Sequence, residues 1–252
     1  IDATKEQVTQ SKISVKAMER TGGTAVVVLG SAANPPHMGH VHCLKVGKEK
    51  AEDLGYHVLF MTLAIAPHRY VQKKMERQQE GIKDSNNSSC LVLSDQSRLH
   101  MSNLLFSSLS TDNDFSSDAL AFKSPSKCYG SALECGRDMR PSSDTKVIVI
   151  VGGDRAKMKW RRPPKNIDSQ ITICCARDKN QLEALHNSFL HDTIQGLVLD
   201  DKYYLASGVG PSTSSTVIRS ILQGDSDDKI SNLMKHGYTR EAAKFLCGGE
   251  KK

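Results

Sequence analysis

Two histidines, His37 and His40, stand three residues apart just past an apolar run, and a distant segment, Ser214-Ser-Thr-Val-Ile-Arg219, gathers hydroxyls and a guanidinium. Two imidazoles at a helix start can face one point, where unpaired N–H groups and the positive end of the helix dipole already favour an anion. Hydroxyls at a second helix start, followed by an arginine, make another such cradle, because a guanidinium grips paired oxygens. Each feature taken singly has a bland reading: solvated loop histidines, or a capped surface helix carrying a solvated arginine. Together they describe two places to hold phosphate.

The elements that must position these residues are written in the apolar pattern. Ala25 to Leu29 is an apolar run between Gly22-Gly23 and Gly30, which reads as a buried strand. Asn34-Pro35-Pro36 cannot continue it, since proline lacks an N–H and holds its predecessor extended. After Gly39, Val41, Leu44, Ala51 and Leu54 fall on one helical face, and Gly55 ends the helix. A second strand over 57–63 completes a βαβ unit, which implies a parallel sheet and a right-handed crossover. Further strands are expected over 146–151, 170–176 and 196–199, and helices over 94–106, 181–189 and from Ser215 to Leu222. Residues 230–246 follow as a tail. The expected fold is α/β: a Rossmann-like doubly wound parallel sheet of about five to six strands, helices on both faces, and a small C-terminal helical tail.

Residues 1–22 read as an N-terminal extension with a weak helix over 3–20, and 23–252 as a single domain. Two stretches read as insertions. Residues 76–90 have the composition of a flexible segment, and 107–144, rich in Ser and Asp, reads as a long irregular loop with some short structure. Between the second strand and the first insertion, His68, Arg69, Lys73 and Lys74 read as a cationic loop on the face where α/β sheets bind ligands.

Composition narrows the function classes. The chain has 252 residues, 38% hydrophobic and 25% charged, with a net charge of +6. No apolar run approaches membrane length, so no membrane partner is expected. The basic pairs are short and lack interleaved aromatics, which argues against a nucleic-acid platform. Seven cysteines without Cys-x-x-Cys spacing indicate neither a disulfide framework nor a zinc site, and no protein metal site is expected. A reducing, intracellular and cytoplasmic setting follows, with room for a targeting segment upstream because the chain begins at Ile.

Gly30-Ser-Ala-Ala-Asn-Pro-Pro-His-Met-Gly-His40 resembles the HxGH signature of the nucleotidyltransferase superfamily, and Thr213-Ser-Ser-Thr-Val-Ile-Arg219 resembles its second signature, ISSTxIR, with Thr where Ile is usual. Arg98-x-x-Met101 and Gly152-Gly-Asp154 are similar to patterns of the nicotinate/nicotinamide mononucleotide adenylyltransferases. The resemblance covers most of 24–246 outside the insertions. It implies adenylyl transfer from ATP to a pyridine mononucleotide, giving the dinucleotide (NAD or its deamido form) and pyrophosphate.

By that resemblance His37, His40 and Arg219 are the catalytic set. Gly30, Ser31, Asp154, Ser215, Thr216 and Arg69 would bind ATP and phosphate; Trp160, Arg177 and Asn34 would bind the mononucleotide. Trp160 would stack on the pyridine ring, although a lone Trp is more often a packing residue. Mg²⁺ would be carried by the ATP phosphates. A homo-oligomer is compatible with all of this. One segment departs from the family: where relatives carry a Ser/Tyr-Thr…Thr-Leu stretch that recognises the pyridine nucleotide, the nearest match is Ser126-Lys-Cys-Tyr-Gly-Ser-Ala-Leu133. Another phosphorylated acceptor (phosphopantetheine-type, or a cytidylyltransferase substrate) therefore stands as an alternative, as does a non-catalytic nucleotide-sensing domain of the same fold.

Overall fold

The computed structural model describes residues 22–80, 91–110, 122–156, 170–198, 202–209 and 213–248. Five parallel strands form one sheet: β1 (Thr24–Ser31), β2 (His57–Ile65), β3 (Lys146–Gly152), β4 (Gln170–Ala176) and β5 (Tyr203–Val209). Their order is β2-β1-β3-β4-β5. Helices bounded within the described residues are α1 (Met38–Asp53), α2 (His68–Glu80), α3 (Asp95–Ser110), α4 (Ala132–Met139), α5 (Lys179–Ile194), α6 (Ser215–Gln223), α7 (Lys229–Lys235) and α8 (Arg240–Gly248).

Strand alternation sends β1 side chains to two cores. Val27 and Leu29 join Leu44 of α1, Leu105 and Phe106 of α3, and Ile148, Ile150 and Ile173. Val26 and Val28 face the other way, onto Cys135 of α4. Farther along that second face, Cys174 and Ala176 of β4 pack against Leu185 of α5. Helices thus cover both faces, as expected, and the interiors of β1 and β3 read as unbroken apolar runs because neither face meets water. A smaller cluster joins Met101 of α3 to Ile218 of α6, Leu233 of α7 and Tyr238, Ala242 and Leu246 of the tail.

Several expected elements differ. The fifth strand is Tyr203–Val209, in register with Thr172–Ala176, and not 196–199. Gly196, at φ 69°, follows the end of α5 in a turn, and Leu197 is half exposed. The cationic loop is helical: α2 starts at His68, with Val71 and Met75 buried one turn apart. It runs to Glu80, so the 76–90 insertion begins later than its composition suggests. Likewise 107–144 is not one long loop. Phe122 bridges Met61 of β2, and Ser131 caps α4 by accepting the Glu134 N–H at 3.1 Å. Gly136 lets α4 lie on the sheet; a Cβ there would meet Val147 Cγ1 at 2.3 Å. The N-terminal extension up to residue 21, residues 81–90 and Trp160 lie outside the described residues.

The strand order places a switch point between β1 and β3: the chain leaves β1 for β2 on one side and returns to β3 on the other. Crevices at the carboxyl ends of strands flanking such a point are where open α/β sheets bind ligands. The His37–His40 loop follows β1, and Gly152-Gly153-Asp154 closes β3.

Candidate functional site

Proline gives the β1–α1 loop its problem. Pro35 and Pro36 donate nothing, yet the loop is buried and its carbonyls need partners. Three successive carbonyls find them in the C-terminal part of the chain. Arg219 Nη1 donates to Asn34 O at 2.8 Å, Ser215 Oγ to Pro35 O at 3.0 Å, and Tyr238 Oη to Pro36 O at 2.5 Å. The two motif segments, far apart in sequence, are bonded directly to each other.

Gly39 makes this approach sterically feasible. A Cβ on Gly39 would lie 2.8 Å from Thr213 O and 2.8 Å from His37 Cε1. Asn34, almost fully buried, ties the loop to a further segment: its Nδ2 donates to Leu91 O at 2.8 Å and its Oδ1 accepts from Leu93 N at 2.9 Å. Arg98, completely buried, donates through Nη1 to Ala32 O and Ala66 O, both at 2.7 Å, and pairs through Nη2 with Asp95. It thereby fixes the exits of β1 and β2 to α3.

The histidines themselves form the start of α1. His37 is the N-cap, its Nδ1 accepting the Gly39 N–H at 3.1 Å; His40 Nδ1 accepts the His37 N–H at 3.1 Å. Their ring centroids are 3.9 Å apart. His40 Nε2 lies 2.8 Å from Ser31 Oγ, which also accepts the Ala33 N–H at 3.1 Å. The second segment is capped in the ordinary way: Ser214 Oγ accepts the Val217 N–H at 3.3 Å. Thr216 is exposed, and its Oγ1 accepts from Arg219 Nη2 at 3.2 Å.

The remaining expected residues are arranged around this centre. Asp154 and Arg177, at the ends of β3 and β4, form an exposed ion pair at 3.3 Å. Gly30 is exposed near the end of β1, and a Cβ there would meet Ala132 Cβ of α4 at 3.2 Å. Arg69 is exposed on the first turn of α2. Tyr238 and Gly39 have no counterpart among the residues expected from the sequence, because no side-chain pattern marks a partner that is a backbone carbonyl.

Burial lowers the pKa of both histidines. His40 falls to about 4, with Arg177 and Lys74 pushing in the same direction; His37 falls further, helped by His40, Arg177 and Arg219. Both rings are neutral at pH 7, in a positive local field. The unfolded chain takes up protons at these residues near 6.5, where the folded chain does not. Their contribution to stability is therefore complete above about pH 6.5 and falls as the pH drops towards 4. Each unit in that window removes up to about 1.4 kcal/mol per histidine. Urea denaturation should show a lower midpoint at pH 5.5 than at pH 7.5, and a His40→Gln variant a shallower dependence; equal slopes would contradict the assignment.

Chemically, the centre joins two helix starts in a positive local field, a setting suited to an anion. No three His, Cys, Asp or Glu side chains cluster as a metal site among the described residues. No described helix is long and apolar enough to cross a membrane. Comparison with protein-family models and with curated proteins gave no match for this chain.

Proposed function

We propose that the protein transfers the adenylyl group of ATP to nicotinate or nicotinamide mononucleotide, releasing pyrophosphate. The observation that carries this reading is the direct bonding of the two signature segments, Arg219 to Asn34 and Ser215 to Pro35, at the β1/β3 switch point. A triphosphate lying there would meet the start of α1 and the start of α6 together.

The nucleophile in such a reaction is a phosphate monoester, anionic at neutral pH, so no general base is needed. The site must instead position two phosphates in line and neutralise the charge that moves onto the departing pyrophosphate. In this reading His37 and His40 sit beside the triphosphate, Ser215, Thr216 and Arg219 hold its far end, and Gly30 and Ser31 line the floor. Asp154 receives the adenosine ribose, with Arg177 released from it towards the mononucleotide. Trp160 and Arg69 are the family's further contacts. Asp154 and Asp95 are already paired, with Arg177 and Arg98, and no group of three His, Cys, Asp or Glu side chains gathers among the described residues, which suits Mg²⁺ held by phosphate oxygens and water. When bound, that ion would add charge neutralisation.

A pyrophosphate-release assay with ATP or CTP and a panel of phosphorylated acceptors tests the proposal. Release with ATP and a pyridine mononucleotide, matched by dinucleotide formed, is the expected outcome. Release only with another acceptor would move the protein elsewhere in the superfamily, and nucleotide binding without release would make it a sensor.

A further inference from the structure

The hydrogen bonds around the histidine pair have a fixed sense, and that sense limits what the pair can do. A backbone N–H can only donate. The Gly39 N–H therefore makes His37 Nδ1 an acceptor, and the His37 N–H does the same for His40 Nδ1. An imidazole whose Nδ1 accepts carries its proton on Nε2. A second proton on either Nδ1 would set N–H against N–H and break the cap of α1.

For His40 the direction continues outward. Its Nε2–H donates to Ser31 Oγ at 2.8 Å, where the Ala33 N–H also arrives at 3.1 Å. With both lone pairs of that oxygen engaged, the Ser31 hydroxyl has only its proton left to offer. The chain runs one way, from the His37 backbone through His40 to Ser31.

We propose that His37 and His40 work as neutral Nε2–H imidazoles with no lone pair open to a proton, and that His40 is a positioning residue acting through Ser31, whose hydroxyl is the donor presented to a phosphate. The pair is thus neither a general base nor an imidazolium clamp. Positive charge acting on the pair comes from Arg219 of α6, Arg177 after β4 and Lys74 of α2, and Asp154 after β3 is the carboxylate paired with Arg177. Only the identity of the group that Ser31 meets rests on the adenylyl-transfer reading.

Two measurements test this. In uniformly ¹⁵N-histidine-labelled protein without nucleotide, long-range ¹H–¹⁵N spectra report the protonation of each ring nitrogen. His37→Asn and His40→Gln assign the two rings among the nine histidines. At pH 7.5 and at pH 6 both rings should show a bare Nδ1 and a protonated Nε2. An imidazolium, or an Nδ1–H tautomer in either ring, would overturn the proposal, whatever reaction the protein performs.

The second measurement is turnover. Glutamine at position 40 keeps a donor near Nε2 but cannot ionise, whereas alanine keeps nothing. His40→Gln should stay within about tenfold of wild type, and His40→Ala should fall by roughly 100-fold or more. His40→Gln as inactive as His40→Ala would overturn the positioning role.

Discussion

Replacing Gly39 with alanine will lower the proposed adenylyl transfer by roughly 100-fold or more, the usual scale for losing one preorganised contact at a reacting phosphate or acyl centre. The added methyl meets two obstacles of different kinds. One is the His37 ring, which could turn, but only by giving up its bond to the Gly39 N–H. The other is the Thr213 carbonyl, main chain at the entrance to α6, which cannot turn aside. Relief therefore means moving α6 away from α1, and with it the Arg219 and Ser215 bonds to Asn34 and Pro35. The variant should still fold, with a loss of about 1–3 kcal/mol, the range for overpacking a close contact. Turnover beside a denaturation midpoint separates the effects; near wild-type turnover would show that the two segments need not touch.

Arg98→Ala is expected to be the most destabilising single change in the described residues. The buried guanidinium serves Ala32 O and Ala66 O at once, and its removal orphans both carbonyls, opens a cavity and leaves Asp95 without its partner. Each orphaned buried acceptor costs about 1–3 kcal/mol, so a loss of roughly 3 kcal/mol or more follows. Against a total stability of about 5–15 kcal/mol, that is a large share. Arg98→Lys should recover only part, since one ammonium on a flexible stem does not reproduce the planar fork. Chemical denaturation checks this, and a loss below about 1 kcal/mol would mean that water replaces the guanidinium.

Arg98 also illustrates what the sequence could and could not convey. Its spacing from Met101 drew attention as a motif, while its bonds to two carbonyls at the ends of β1 and β2 left no trace in residue types. The same holds for Tyr238 and for the side chain of Asn34, whose partners are backbone atoms. Strands β1 to β4 were legible because burial on both faces writes a near-continuous apolar run, with Thr62 and Thr172 the polar residues buried inside β2 and β4. Strand β5 was not: it is an edge strand of mixed sequence, Tyr-Tyr-Leu-Ala-Ser-Gly-Val, in which Gly208 stands where Val46 of α1 comes close. Helix α4 was hidden for a related reason, since its buried positions are Cys135 and Gly136, too small to show as an apolar face. His37, His40 and Arg219 could be picked out by type and spacing. The three carbonyls that join their segments could not.

The central claim is that one triphosphate bridges the starts of α1 and α6. A crystal structure of the protein with α,β-methylene ATP tests it most directly. The account predicts phosphate oxygens within hydrogen-bonding distance of both the Ser31–His40 segment and the Ser215–Arg219 segment. Phosphates held by only one of these segments, or bound away from the carboxyl ends of β1 and β3, would contradict it.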